Sequence, residues 1–165
     1  MPMDIEKNIA MIALQEERLR FTAFDEDTAW NLGSLLRTKA KERGAAVVIE
    51  IRLGRETVFF TAMQGTAPVN ADWARRKRNT VDLLNRSSYS IGLALRQEQS
   101  SLESKMGLPT RDFASHGGSF PICVASVRCI GTVTVSGLPQ RDDHAIVVQA
   151  LAEMCGAPIA AIALD

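Results

Sequence analysis

The sequence predicts an α/β domain of the α+β kind, an antiparallel sheet with helices packed on it. Two observations carry this. Hydrophobic periodicity runs in the order two helices, a strand pair, helices, a second strand pair and a helix. Strands that arrive in pairs close antiparallel through short turns, whereas a βαβ repeat alternates single strands with helices. In addition, neither a GxGxxG nor a GxxxxGK[ST] loop occurs, so a dinucleotide-binding or P-loop fold has no support.

The first helix is expected over residues 4–19, with Ile5, Ile9 and Ile12 on one face. A second, from Asp25 to Arg43, opens on Asp25, Glu26 and Asp27 and closes on Lys39, Lys41 and Arg43, which matches the helix dipole at both ends. Gly44 follows where a left-handed cap is expected, and Ala29, Leu32 and Leu36 form its buried stripe, with Leu35 beside it. Residues 47–53 alternate as a strand, with Val47, Ile49, Ile51 and Leu53 on one face and Glu50 and Arg52 on the other. Gly54-Arg55 supplies a two-residue type II′ turn, and residues 56–63 return as its partner. Helices are then expected over 71–86 and 88–97. A long loop from Gln97 to Gly118 holds at most a helical turn, and loops of this length are often functional. Ile122–Arg128 and Ile130–Ser136 read as the second strand pair, and Gln140–Cys155 as the last helix. The tail Ala157–Asp165 reads as a docked segment or a small strand.

A chain of 165 residues is long enough to bury a core without staples. With 19 basic and 19 acidic residues it carries no net charge, which argues against a nucleic-acid or anionic-membrane binder and sets little electrostatic resistance to self-association. The N-terminus lacks a basic and apolar leader, and no apolar run approaches the ~20 residues of a membrane span. Cys123, Cys129 and Cys155 show no CxxC spacing, and Cys123 and Cys155 read as buried free thiols acting as small hydrophobes. These features point to a cytoplasmic protein with no structural zinc or other metal site.

Three stretches are candidates for chemistry. In His116-Gly117-Gly118-Ser119 the glycines let the backbone turn or approach a ligand, their amides suit an anion, and His116 can act as ligand, acid or base. The plain alternative is a loop that turns into a strand. In Ser136-Gly137-Leu138-Pro139-Gln140-Arg141-Asp142-Asp143-His144 a strand meets a helix N-terminus, a natural carboxylate or phosphate site. There Asp142 or Asp143 can instead satisfy the free amides. His144 shares a helical face with Val148, Leu151 and Cys155 and points inward, either hydrogen-bonded in the core or paired with His116 in a site. In Trp73-Ala74-Arg75-Arg76-Lys77-Arg78, Lys77 lies on the apolar side with Trp73. It either reaches an anionic ligand or acidic partner, or snorkels past Trp73 into water.

These stretches, read as Asn70-Ala71-Asp72-Trp73 leading to Arg76–Val81 and Ser87-Ser88, His116–Ile122, and Gly131–Gln140 ending at Asp143-His144, carry a resemblance. The chain resembles the haem-degrading-domain superfamily (GlcG/HbpS-like), in its cytoplasmic branch with a yeast member. The resemblance implies one domain over residues 1–165 with a profilin-like, three-layer arrangement. It further implies an antiparallel sheet of about five strands, helices on both faces, assembly into a homo-oligomer, and haem as the cofactor to consider.

The preferred reading is a small-molecule-binding or accessory oligomer, haem-related or not. Its ligand residues are Trp73, Lys77, His116, Gly117, Gly118, Ser119, Ser136, Gly137 and His144. The rival is an enzyme in which His144 and Asp143 act as acid and base on a small anionic substrate. A structural partner-binding protein is the third.

Overall fold

The computed structural model of the chain describes residues 4–125 and 127–165. The helices are α1 (Ile5–Arg18), α2 (Glu26–Glu42), α3 (Pro68–Leu84), α4 (Ser88–Gln97), α5 (Leu102–Met106) and α6 (Gln140–Cys155). The strands are β1 (Val48–Leu53), β2 (Glu56–Ala62), β3 (Ser119–Cys123) and β4 (Cys129–Ser136). They form one antiparallel sheet in the order β2-β1-β4-β3. The α+β class and the three layers stand as expected. The strand count is four, not about five, because the tail closes in a 3-10 turn, Ile159–Ala161, whose following residue Ile162 is buried and gives its carbonyl to Gln15 at 2.6 Å.

Local chemistry sets the helix starts. Asp4 accepts from the Lys7 amide at 3.0 Å, and Asp25 from that of Thr28 at 2.8 Å, with Thr28 Oγ1 receiving the Asp25 amide in return. This reciprocal cap satisfies two otherwise orphaned donors. Gly44 takes φ +62 beyond α2, and Gly54 takes φ +57 at the β1–β2 turn. Helix α3 begins three residues earlier than its periodicity suggests. Pro68 at its first position has the φ a helix needs and no amide to satisfy, and Asn70 Oδ1 accepts the Ala67 amide at 2.8 Å.

The two faces of the sheet differ in chemistry. On one, Ile49, Ile51, Phe120, Ile122, Val133 and Val135 pack with Leu32 and Leu36 of α2 and Ile146 and Leu151 of α6 in the main core. Each such side chain contributes roughly 1.5–3 kcal/mol by leaving water. Gly33 of α2 matters here, since a Cβ at that position would come within 2.5 Å of the Phe59 ring.

The other face, under α3, is buried yet polar. Glu50 of β1, Thr132, Thr134 and Ser136 of β4 and Ser119 of β3 lie there, and register places Glu50, Thr134 and Ser119 in one rung. Three of these groups are paired: Arg78 Nε donates to Glu50 at 2.8 Å, and the Ser119 and Thr134 hydroxyls meet at 2.8 Å, while the Thr132 hydroxyl has no partner among the described residues.

Two expectations are corrected at β3. The strand occupies Ser119–Cys123 rather than Ile122–Arg128, because it begins directly after the glycine pair and tolerates Pro121 as an edge strand. Ser126, within the expected span, lies outside the described residues. Cys123 is not a free thiol. Register sets it opposite Cys129, and the two form a disulfide with Cα atoms 3.9 Å apart. Cys155 is free.

Candidate functional site

Helix α3 crosses the polar face with its basic run, and almost every charge in that run has a protein partner. Arg75 bonds Asp72, Asp112 and the Arg111 carbonyl. Arg76 reaches the Thr110 carbonyl while its guanidinium lies 4.1 Å over the Trp73 ring. Arg111 grips Asp72 with two bonds of 2.7 Å, which hold that carboxyl down at about 2. The basic helix therefore organises the long loop before β3. This docking brings His116 against Trp73, ring centroids 4.9 Å apart.

The result is a cleft of about 260 Å³ between α3, the 116–118 loop and the junction from β4 to α6. Trp73 and His116 line it on one side, Ser136, Gly137 and Leu138 on the other, with Asn70 and Gln140 completing the walls and Lys77 and Asp143 beneath. Lys77 does not snorkel. It is 4% exposed, and its ammonium donates to Asp143 Oδ2 at 2.9 Å and to the Val135 carbonyl at 3.3 Å. Asp143, 1% exposed, also accepts the amides of Gly137 at 3.3 Å and Leu138 at 3.0 Å. The acidic residue thus caps the junction loop rather than the first turn of α6, which carries no side-chain cap. Burial is the main influence on both partners, pushing the Lys77 amine down and the Asp143 carboxyl up against their mutual attraction. Partial burial, then the charges of Lys77 and Arg76, hold His116 below its usual value, so its imidazole is neutral at pH 7.

The glycine pair serves the protein first. The Gly117 amide donates to Gln140 Oε1 at 3.2 Å and so already has its acceptor. Gly118 takes φ +133, and a Cβ there would lie 2.3 Å from the Val135 carbonyl and 2.8 Å from Lys77 Nζ. Only glycine lets the loop close over the buried pair. An adjoining, larger hollow of about 420 Å³, lined by Tyr89, Gly92, Arg96 and Ser115, shares His116 and Gln140 with the cleft.

Of the ligand residues named from sequence, the structure gathers Trp73, Lys77, His116, Ser136 and Gly137 around the cleft, with Gly118 against Lys77. Ser119 does not line it. Its amide and carbonyl bond the Ser88 hydroxyl, and its own hydroxyl meets Thr134. His144 does not line it either. It is 1% exposed, sits beside Tyr89 and Phe120, and lines a separate cavity under the tail. Its pairing with Asp143 as acid and base is not formed, since the two successive residues leave α6 towards different partners. Gln15 fixes the imidazole tautomer. The Gln15 amide nitrogen donates to Ile162, so its oxygen faces His144 Nε2 at 2.8 Å and that nitrogen carries the proton. Nδ1 has no partner among the described residues. Asn70, Leu138 and Gln140 were missed as cleft residues. Each reads in sequence as helix-start or turn punctuation, and no local pattern shows which way such a side chain faces.

Against known proteins, the family profile described as haem degrading protein HbpS-like matches residues 24–152. A UPF0303 protein of Azotobacter vinelandii is 52% identical over 163 residues, covering 99% of this chain and 98% of that one. Among solved structures, the Ybr137w protein superposes with a TM-score of 0.83 at 27% identity, covering 90% of this chain and 87% of that one. The PduOC:haem complex superposes with a TM-score of 0.68 at 18% identity, covering 79% of this chain and 94% of that one, a likeness of fold.

Proposed function

Since this chain belongs to the HbpS-like haem-degrading protein family, we propose that it is a small-molecule-binding protein whose site is the cleft above the Lys77–Asp143 pair. The observation that carries this is a buried, charge-paired floor opening beneath a neutral imidazole and an indole face. Buried charges are costly to keep in a fold unless their pairing is complete or useful, and convergent polar groups in a concavity are the ordinary signature of a binding site.

The size and walls choose among ligands. Typical sites for drug-sized molecules hold about 300–1,000 Å³, and this cleft, at about 260 Å³, lies just below that range and suits a small molecule. Asn70, Ser136 and Gln140 offer neutral polar groups, and only Trp73 and Leu138 offer apolar surface. A tetrapyrrole enclosed within this cleft does not fit that lining, although His116 could present one neutral nitrogen to iron at the rim. The ligand class is therefore a short polar molecule.

Calorimetric titration with acetate, acetamide, pyruvate and hydroxyacetone tests this reading. At least one is expected to bind saturably and to weaken in His116→Ala while His144→Phe binds as wild type. No binding of any of the four would overturn it. The haem reading has its own test, a haemin titration. A saturable Soret change abolished in His116→Ala would favour a haem protein over a small-ligand protein.

Self-association belongs to the same proposal. Trp30 of α2 and Phe60 of the edge strand β2 are 64% and 51% exposed, and the absence of net charge does not oppose assembly. A homo-oligomer in the cytoplasm, without nucleic acid or membrane, is the assembly and setting proposed. Among the described residues no helix is long and apolar enough to cross a membrane.

A further inference from the structure

We propose that Lys77 is a nucleophilic amine that condenses with the carbonyl carbon of a short polar ketone or aldehyde in the cleft, with Asp143 moving the protons. The proposal rests on the cleft being a binding site and names the chemistry that site performs.

Several features converge on it. Lys77 is the one buried lysine among the described residues. Lys7, Lys41 and Lys105 are exposed and Lys39 is half-buried. Two of its three ammonium hydrogens meet protein acceptors, Asp143 Oδ2 at 2.9 Å and the Val135 carbonyl at 3.3 Å, which leaves one for a guest. Lys77 is itself among the residues that line the cleft, while Gly118 packs its bare backbone against Nζ on the protein side. The walls suit a polar carbonyl compound. Burial favours the uncharged amine that such chemistry needs, as in other desolvated lysines that form Schiff bases.

The step balances without an oxidant. The Lys77 ammonium passes a proton to Asp143, and its freed electron pair attacks the carbonyl carbon. The C–N bond forms and the carbonyl oxygen takes up a nitrogen proton to become a hydroxyl. Asp143 then returns its proton to that hydroxyl, the C–O bond breaks and water leaves. The product is a protonated imine on Lys77. Its positive charge still faces the Asp143 carboxylate, so the buried carboxylate is never left without its counter-charge.

The test uses the full chain at pH 7.5 with pyruvate or hydroxyacetone and sodium cyanoborohydride, followed by peptide mapping by mass spectrometry. The two ketones separate an anionic from a neutral substrate. A reduced adduct is expected on Lys77, favoured by about tenfold over each other lysine, and lost in Lys77→Arg, which keeps the charge beside Asp143. Asp143→Asn, checked for folding by circular dichroism, is expected to retain Lys77 but slow its labelling. Labelling that follows exposure, concentrated on Lys7, Lys41 and Lys105, overturns the proposal. Calorimetry on the same ketones separates the two levels. Binding of a ketone without a Lys77 adduct, or no ketone binding while acetate or acetamide binds, overturns the covalent step and leaves the cleft reading standing, and no binding of any of the four overturns both.

Discussion

Lys77 Nζ lies 2.9 Å from Asp143 Oδ2 with neither side chain more than 5% exposed, and this one pair ties α3 to the start of α6 across the end of β4. Burial of two charges is repaid only when both are present. Lys77→Met or Asp143→Asn alone is therefore expected to destabilise by about 3–5 kcal/mol, as loss of one partner of a buried pair does. The double variant should cost less than the sum of the singles. Urea denaturation of the four proteins measures the coupling, and additive losses would mean that the pair is not a unit.

Gly118→Ala places a methyl against the Val135 carbonyl and Lys77 Nζ at a φ of +133. Gly44→Ala shares the positive φ but meets nothing within 4 Å. The Gly44 variant should lose about 1 kcal/mol from backbone strain alone, and the Gly118 variant should lose more while also losing ligand binding. Equal losses would show that Gly118 serves only the turn.

The sequence already carried much of this arrangement. Alternation in residues 47–53 set Ile49 and Ile51 against the core and Glu50 away from it, which the two faces of the sheet reproduce. The acidic and basic ends of α2, and the glycine after it, placed that helix to within a residue. The motifs around Trp73, His116 and Ser136 all reached one cleft. What stayed hidden was pairing at a distance. Lys77 and Asp143 are 66 residues apart, and local spacing cannot show that the acid on one helix is the partner of the base on another. The same applies to Cys123 and Cys129, whose pairing depends on strand register. It applies to His144 too, where helical spacing gave the inward direction but not Gln15 as its partner.

His144 makes stability depend on pH in a defined direction. Burial, then the charge of Arg141, lowers its folded value to about 3 from a reference of 6.5. The unfolded chain thus binds the proton first, and the stabilisation from a neutral, buried imidazole is complete above about pH 6.5 and is lost as pH falls towards 3. Within that window the loss approaches about 1.4 kcal/mol per unit. His144→Phe should flatten the decline in unfolding free energy between pH 6 and 4.5. An unchanged slope would assign the acid sensitivity to other groups.

The Asp72–Arg111 contact is at the surface, and its role is local order. Asp72→Asn should raise hydrogen exchange at Ala114, whose amide donates to the Arg76 carbonyl at 3.1 Å, and leave the global unfolding midpoint nearly unchanged. Unaltered exchange across 110–116 would show that the loop is held by Arg75, Arg76 and Asn79 without it.

The most direct test of the cleft as the ligand site is protein-observed NMR with hydroxyacetone and pyruvate added to the isotope-labelled chain. Saturable shifts confined to the amides of 70–77, 116–118 and 136–143 are the predicted result. Shifts centred on Gln15, His144 and the tail after Gly156, or none with these two or with acetate and acetamide, would contradict it.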